Sequence, residues 1–294
     1  MNLVSRRRSI SVGVFFCLLL TIFAATTAAQ RSKRYPHHKR THHKVKTVRA
    51  ASLMAAEAAP ACPTTLAACE AGGCSSNPSR PGDPLLNAKK NITTHPSGEP
   101  AFMSITQIEA LPKHPAHYKI GQNRGALINV TPNGEGSPVW TAGWLLAVKP
   151  EGGESCNCGL EGVENTDNHL VFVEQRYISK PGFALPANAS ATAIKTMFKK
   201  REPRSMTAEF TPRVRLSHPN FNKAFVDEYL NKTPQGALFV RIHGQLMFDS
   251  EHAKPGNGLT RVNNWEIHPI FSFEYCPMDK QCDPNTNANW VKVD

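Results

Sequence analysis

Residues 237–248 read Ala-Leu-Phe-Val-Arg-Ile-His-Gly-Gln-Leu-Met-Phe, and residues 264–274 read Asn-Trp-Glu-Ile-His-Pro-Ile-Phe-Ser-Phe-Glu. Both stretches alternate with period two, the pattern of a strand with one face in a core and the other toward water. In the first, Leu238, Val240, Ile242, Leu246 and Phe248 share a face interrupted only by Gly244, and Phe239, Arg241, His243, Gln245 and Met247 take the other. In the second, Trp265, Ile267, Pro269, Phe271 and Phe273 oppose Glu266, His268, Ile270, Ser272 and Glu274.

Three more strands are expected upstream, at Val139–Lys149, His169–Arg176 and Met206–Leu216. In the third, Met206, Ala208, Phe210, Val214 and Leu216 face one way, and Thr207, Glu209, Thr211, Arg213 and Arg215 the other. Between the third and fourth strands, Phe221, Phe225, Val226 and Leu230 recur at helical spacing, so Asn220–Asn231 reads as a helix with Asn220 as its cap. Ser104–Leu111 reads as a short capped helix stopped by Pro112. The order β-β-β-α-β-β fits a mainly β protein, a five-stranded OB-like antiparallel barrel with its helix between strands three and four. Another small antiparallel barrel or a sandwich shares the pattern. The domain is expected over 85–282, with a C-terminal tail at 283–294.

The chain has 294 residues, with 34 Lys+Arg against 23 Asp+Glu. Eleven of the bases and none of the acids fall in residues 1–50, which leaves 23 of each sign in the rest. A globally basic nucleic-acid-binding domain is thereby excluded, because the excess charge belongs to the N-terminus. Residues 1–29 carry the three parts of a secretory signal: Arg6–Arg8, the apolar run Val12–Ala25, and the small residues Thr27-Ala28-Ala29. An uncleaved signal-anchor is the competing reading, although the run is short for a membrane span. Residues 30–50 hold eight bases and the pairs His37-His38 and His42-His43. Like charges at that density repel, so a disordered basic leader is expected. Such a leader would tether the chain to an anionic polymer, a nucleic acid or an envelope surface, or would be a solvated pro-segment. Residues 30–84 as a whole read as this leader grading into an Ala-, Pro-, Ser- and Cys-rich linker. Export implies a secreted or periplasmic location.

Removal of the signal leaves seven cysteines, at 62, 69, 74, 156, 158, 276 and 282. Disulfides are the default in an oxidising compartment. Cys276 and Cys282 would close a small loop. Cys156 or Cys158, or both, would pair with Cys62, Cys69 or Cys74 and staple the linker to the barrel. An odd count leaves one thiol free or paired between chains. Cys156 and Cys158 are also candidate zinc ligands, but no C-x2-C pair exists.

Two constellations bear on chemistry. In an OB-like barrel the loops after strands one and four flank one mouth. The first loop holds Glu154, Cys156, Cys158, Glu161 and Asp167, with His169 entering strand two, and the second holds Asp249, Ser250, Glu251 and His252. Asp167, His169, Asp249, Glu251 and His252 are therefore the candidate ligands for a divalent ion, Mg2+, Ca2+ or Zn2+, no other cofactor being indicated. The second constellation is the polar sheet face, where Glu209, Arg213, Arg215, Arg241, His243, Glu266 and His268 would meet. Arginines there suit a phosphate or carboxylate, Glu209 or Glu266 suits a general base, and cross-strand salt bridges on a wet face need no ligand at all. No nucleophile elbow, Walker loop or dinucleotide fingerprint occurs. Sequons lie at Asn91, Asn129, Asn188 and Asn231.

Several motifs together carry a likeness: Leu86-Asn87-Ala88-Lys89-Lys90-Asn91, Glu154-Ser155-Cys156-Asn157-Cys158, Asp167-Asn168-His169, Glu209-Phe210-Thr211-Pro212-Arg213, Gly244-Gln245-Leu246-Met247-Phe248-Asp249 and Trp265-Glu266-Ile267-His268-Pro269-Ile270. The set resembles a group of uncharacterised exported bacterial proteins with an OB-like domain, over roughly residues 85–275. The resemblance implies fold and export, and no activity. The thermonuclease family also uses a secreted OB-type barrel, but its acidic metal pair and its arginine–glutamate–arginine arrangement find no matching spacing here.

The leading expectation is an exported OB-like binding module. It would hold an anionic ligand or polymer through Arg213, Arg215, Arg241, His243, Glu266 and His268. A metal-dependent hydrolase of phosphodiesterase or nuclease type is the alternative, and a structural envelope protein is the third reading.

Overall fold

The five strand-forming stretches each have too much apolar surface to stand alone, and they bury it by closing into a ring. The computed structural model describes residues 61–294, except 78, 80, 114–120, 123, 131 and 253–259. The expected signal and basic leader lie outside the described residues. In chain order the elements are α1 (Pro84–Lys90), β1 (Ala101–Phe102), α2 (Ile105–Glu109), α3 (Gly125–Ile128), β2 (Pro138–Pro150), β3 (Asn168–Val173), α4 (Arg176–Ser179), α5 (Ala191–Arg201), β4 (Met206–Phe210), α6 (Pro212–Arg215), α7 (Lys223–Lys232), β5 (Leu238–Phe248), β6 (Trp265–Tyr275) and β7 (Val291–Lys292).

The barrel runs β2-β3-β4-β6-β5 and closes by β2 pairing with β5. Four of its pairings are antiparallel, and β4–β6, with Ala208 opposite Ile267, is parallel. The expected OB-like barrel is therefore present, but mixed rather than wholly antiparallel. The reason is parity: five strands in a closed ring cannot all alternate in direction, so one neighbouring pair must run parallel.

Inside the ring lie Val139, Leu145, Leu170, Phe172, Ala208, Phe210, Val240, Ile242, Leu246, Ile267, Ile270 and Phe273, all within one core cluster. Each large side chain buried there contributes roughly 1.5–3 kcal/mol. Helix α7 follows β4 as expected, with Asn222 rather than Asn220 as its cap: the Asn222 Oδ1 accepts from the Phe225 N–H at 2.9 Å. It buries Val226, and Phe225, Tyr229 and Leu230 pack against the core. A smaller cluster of Leu146, Val171, Val173, Ile178 and Ala237 lies apart from the ring's interior, with Trp144, Tyr177 and Phe198 packed against it.

Three strand expectations are corrected. Strand two ends at Val173, and α4 follows from Arg176. Strand three ends at Phe210: the Thr211 hydroxyl accepts from the Val214 N–H, and Pro212 opens α6, so Arg213 and Arg215 sit on a helical turn. Threonine before proline is a helix start, and that signal outweighed the continuing alternation. In β6 the phase slips. Gly244 pairs with Ile270 and Leu246 with Ile267, so bulges around His268-Pro269 and Phe271 carry Ile270 into the core and leave Phe271 at its edge. Gly244 allows the crossing, since a Cβ there would lie 2.4 Å from Ile267 Cγ2 and 2.5 Å from the Pro269 carbonyl oxygen.

The segments flanking the barrel are integral to it. Residues 61–92 are tied in by Cys62–Cys74 and Cys69–Cys158, and α1 packs on the 3-10 turn Ser155–Asn157 and on β6. Residues 283–294 include β7, which pairs with β6, and Val293, which joins the core. Cys276–Cys282 closes its local loop, and Cys156 is the free thiol among the described residues. The local Cys276–Cys282 loop and the Cys158 staple to the upstream segment match the expectation, and Cys62–Cys74 is a pairing the sequence reading did not foresee.

Candidate functional site: a buried acid–histidine cluster

Alternation places Glu209 of β4 and Glu266 and His268 of β6 on the outer face of the barrel, where water was expected. His268 and Glu266 are instead fully buried, and Glu209 is nearly so. The cover comes from the first residues of the expected domain and from the loop after β2. Lys90 and Asn91 at the end of α1, with Cys156 and Asn157, are buried alongside.

His268 is the hub. Its Nδ1 lies 3.1 Å from Glu266 Oε1 and 3.3 Å from Glu209 Oε2, and its Nε2 lies 3.4 Å from Asp167 Oδ2. Asp167 Oδ1 accepts from the Asn157 side-chain amide at 2.8 Å. From this hub acids and bases alternate in two directions. Toward β3, Glu209 Oε1 is 3.3 Å from Nδ1 of its cross-strand partner His169, which is also 3.0 Å from Glu151 Oε1. Away from it, Arg261 donates to Glu266 and to Asp249 at 2.5 Å each, and Asp249 contacts His252 Nδ1. Lys90 donates to Glu154 Oε2 at 2.8 Å, and the Cys156 thiol donates to the same oxygen at 3.2 Å.

Charge at these depths is stable only when paired. Burial raises the Asp167 carboxyl to about 7, with Glu154 and Glu209 adding to the rise against His268 and Lys90. Burial also opposes the ion at Glu209, but His268 and His169 outweigh it and hold that carboxyl well below its ordinary value. Burial opposes the cation at His169, yet hydrogen bonds to Glu151 and Glu209 lift it to about 9. His268 is raised in the same way, its burial overcome by Glu209, Glu266 and Asp167. His252 is raised chiefly by its hydrogen bond to Asp249. Burial pushes the Cys156 thiol well up, with Asp167 and Glu154 adding to it, so it is not a thiolate nucleophile.

Pairing is incomplete at the centre. Asp167 Oδ2, Glu209 Oε2 and His268 Nε2 are buried and make no hydrogen bond, the 3.4 Å approach of Asp167 to His268 being within ion-pair range but outside hydrogen-bond geometry. Asn157 Oδ1 and Arg261 Nε beside them are also without partners. Unsatisfied buried atoms are rare and call for a ligand or a proton. Asp167, Glu209 and His268 each offer a donor atom, all within 4.8 Å of one another, and Glu154, Cys156 and Asp167 form an adjoining set that shares Asp167.

The sequence candidates divide accordingly. Asp167 lies at the centre. His169 contacts Glu209 at its flank, its Nε2 2.9 Å from the Thr207 hydroxyl, which is buried and so unsuited to act as a nucleophile. Asp249 and His252 form their own pair and reach the hub through Arg261. Glu251 lies beside them, its carboxyl raised by burial. Glu209 and His268 of the sheet-face set join Asp167 of the loop set, with Glu266 beside His268, so the two constellations placed apart meet at this point.

The arginines do not join it. Arg213 donates to the Asn91 Oδ1 at 3.0 Å and to the Cys69 carbonyl. Arg215 donates to the Thr166 and Val163 carbonyls at 2.8 and 2.5 Å. Arg241 donates to Glu274, to the Pro284 and Thr286 carbonyls and to Asn287. His243 stacks on Trp140, with centroids 6.0 Å apart. Lys90 and Arg261 were missed. Their only trace in the sequence is position: Lys90 lies in the Leu86–Asn91 motif, and Arg261 shortly precedes Trp265-Glu266-Ile267-His268.

Among the described residues no helix is long and apolar enough to cross a membrane. Comparison with protein-family models, with curated proteins and with solved structures yields no match.

Proposed function

We propose that this protein is an exported, disulfide-stapled OB-like barrel that binds a divalent metal at Asp167, Glu209 and His268 and, once the Lys90–Asn91 cover opens to admit a substrate, uses it for hydrolysis. The observation that carries this reading is the three converging, buried donor atoms with no hydrogen-bond partner. Two carboxylates and one imidazole neutralise a dication, and the imidazole nitrogen of His268 favours zinc over magnesium. The export part of the reading is supported by the signal-like N-terminus and by three disulfides, which persist in oxidising compartments.

A metal at this position would supply an activated water and Lewis acidity. The chain's own contribution is proton delivery and charge. Asp249 orients His252 through Nδ1, and the His252 side chain is 43% exposed, so its ring meets solvent at the outer end of the relay. Held protonated, His252 acts as general acid, and with His169 it attracts an anionic substrate such as a phosphodiester. The anion-binding reading built on Arg213, Arg215 and Arg241 lacks this support, because their guanidinium groups are engaged within the fold.

The test is elemental analysis of the purified chain, followed by hydrolysis of bis(4-nitrophenyl) phosphate in zinc, manganese and magnesium. Near one equivalent of metal is expected, lost in Asp167→Asn and His268→Gln. His252→Gln should keep the metal and lose turnover at least tenfold. A chain that takes up no divalent ion under any of these conditions refutes the proposal. Stoichiometric metal without hydrolysis refutes the enzymatic half and leaves a metal-binding protein.

A further inference from the structure

A second site lies away from the acid–histidine cluster and shares no residue with it. A pocket of about 360 Å³ opens where β2 and β5 meet the Cys276–Cys282 loop. Its walls include Trp144, Pro234, Leu238, Phe239 and Met278, with the disulfide itself forming one side. The volume is in the range of small-molecule sites, which are apolar with a few polar anchors.

Two of the lining residues carry a buried polar atom with no hydrogen-bond partner: the indole Nε1 of Trp144 and the side-chain Oε1 of Gln235. One is a donor only and the other an acceptor only. The pocket lining holds a single charged side chain, Lys280, which lies 3.3 Å from Asp279. The walls also offer aromatic faces, since the Trp144 and Phe239 rings lie 5.2 Å apart.

We infer that this pocket binds an uncharged aromatic alcohol, a phenol-class molecule whose ring packs against Trp144 and Phe239 and whose hydroxyl meets the orphan groups. A hydroxyl both accepts and donates, so this one functional group suits an indole N–H and an amide oxygen. An apolar ring matches the walls and aromatic neighbours. A carboxylate can use only the indole N–H and an ammonium only the amide oxygen, so either ion would lose its hydration and leave one buried group unmatched. The disulfide loop holds one wall in place, which lowers the ordering cost of binding.

The experiment is calorimetric titration of the full chain with 4-propylphenol, propylbenzene and 4-propylbenzoate. 4-Propylphenol should bind at least fivefold more tightly than propylbenzene, and 4-propylbenzoate more weakly than either. Trp144→Phe and Gln235→Leu should each shrink the phenol's advantage while leaving propylbenzene binding within twofold. Met278→Trp, a change at a half-exposed wall residue, should block both neutral compounds, with unchanged circular dichroism reporting intact folding. Absence of binding by the phenol, equal binding of phenol and hydrocarbon, preference for the benzoate, or insensitivity to Met278→Trp would each overturn the assignment.

Discussion

Removing the Cys69–Cys158 disulfide should cost more stability than removing any other covalent link among the described residues. The bond joins residues 89 apart in sequence, against 12 for Cys62–Cys74 and 6 for Cys276–Cys282. Loop-closure entropy removed from the unfolded chain grows with the logarithm of that span. It amounts to about 4.6 kcal/mol for the long bridge, about 2.9 for the middle one and about 2.4 for the short one. Cys69, Cys158 and Cys276 are buried and Cys282 is partly exposed, so lost packing adds to the larger cost expected of the long bridge. The assay is urea denaturation at pH 7 of the double variants Cys69→Ala/Cys158→Ala and Cys276→Ala/Cys282→Ala. Double variants are needed because Cys156, next but one to Cys158, is a free thiol that would re-pair with an abandoned Cys69. The first variant should be about 2 kcal/mol less stable than the second, with the midpoint shifted accordingly. It should also lose metal affinity, since the bridge ties down the segment that covers the His268 cluster. Equal stabilities, or a smaller loss for the long bridge, would refute the reasoning.

Arg261→Met should cost roughly 3–5 kcal/mol in urea denaturation, because Asp249 and Glu266 lose their shared cation in a buried site; adding Glu266→Gln should restore part of the loss, and a loss below about 1 kcal/mol would contradict the buried bridge. His169 gives the metal-free protein a pH dependence. Its folded value of about 9 exceeds the ordinary 6.5, so its stabilisation is complete below pH 6.5 and lost as pH rises toward 9. That loss amounts to about 3 kcal/mol at most. Denaturation curves across that window should flatten in His169→Gln, and an unchanged slope would exclude the pairing with Glu151 and Glu209. Thr211→Ala removes the cap of α6 and should cost about 1 kcal/mol, whereas Thr211→Ser should be nearly neutral by thermal melting. Gly244→Ala forces a methyl against Ile267 and the Pro269 carbonyl and should cost about 1–3 kcal/mol or prevent folding; wild-type stability in that variant would mean that β5 and β6 do not cross as described.

Strand existence was legible because period two is a local property. Val240, Ile242 and Leu246 alternate in the sequence and line the core in the fold. The helix before Leu238 was legible for the same reason, with Phe221, Phe225, Val226 and Leu230 repeating every three to four residues. Cysteine arithmetic also held: of the seven cysteines from Cys62 onward, six pair and Cys156 is left over. The five-residue spacer of Cys276–Cys282 invites a local bond.

What the sequence by itself determined, then, was the five barrel strands, the helices α2 and α7 and the order of the strands round a barrel: residues near one another in the chain carry the alternation, the caps and the turn signals. Only the tertiary structure decided which polar faces stay wet. Glu209, Glu266 and His268 read as solvent-facing in their own strands, and nothing local says that Lys90 and Asn91, more than a hundred residues earlier, will close over them. Arg213 and Arg215 differ, since the Thr211-Pro212 helix start that took them off the sheet face is a local signal that the alternation masked, and only their carbonyl partners are long-range. Burial is a pairwise, long-range property, and it is burial that turned ordinary salt-bridging residues into a cluster with unsatisfied donor atoms and displaced proton affinities.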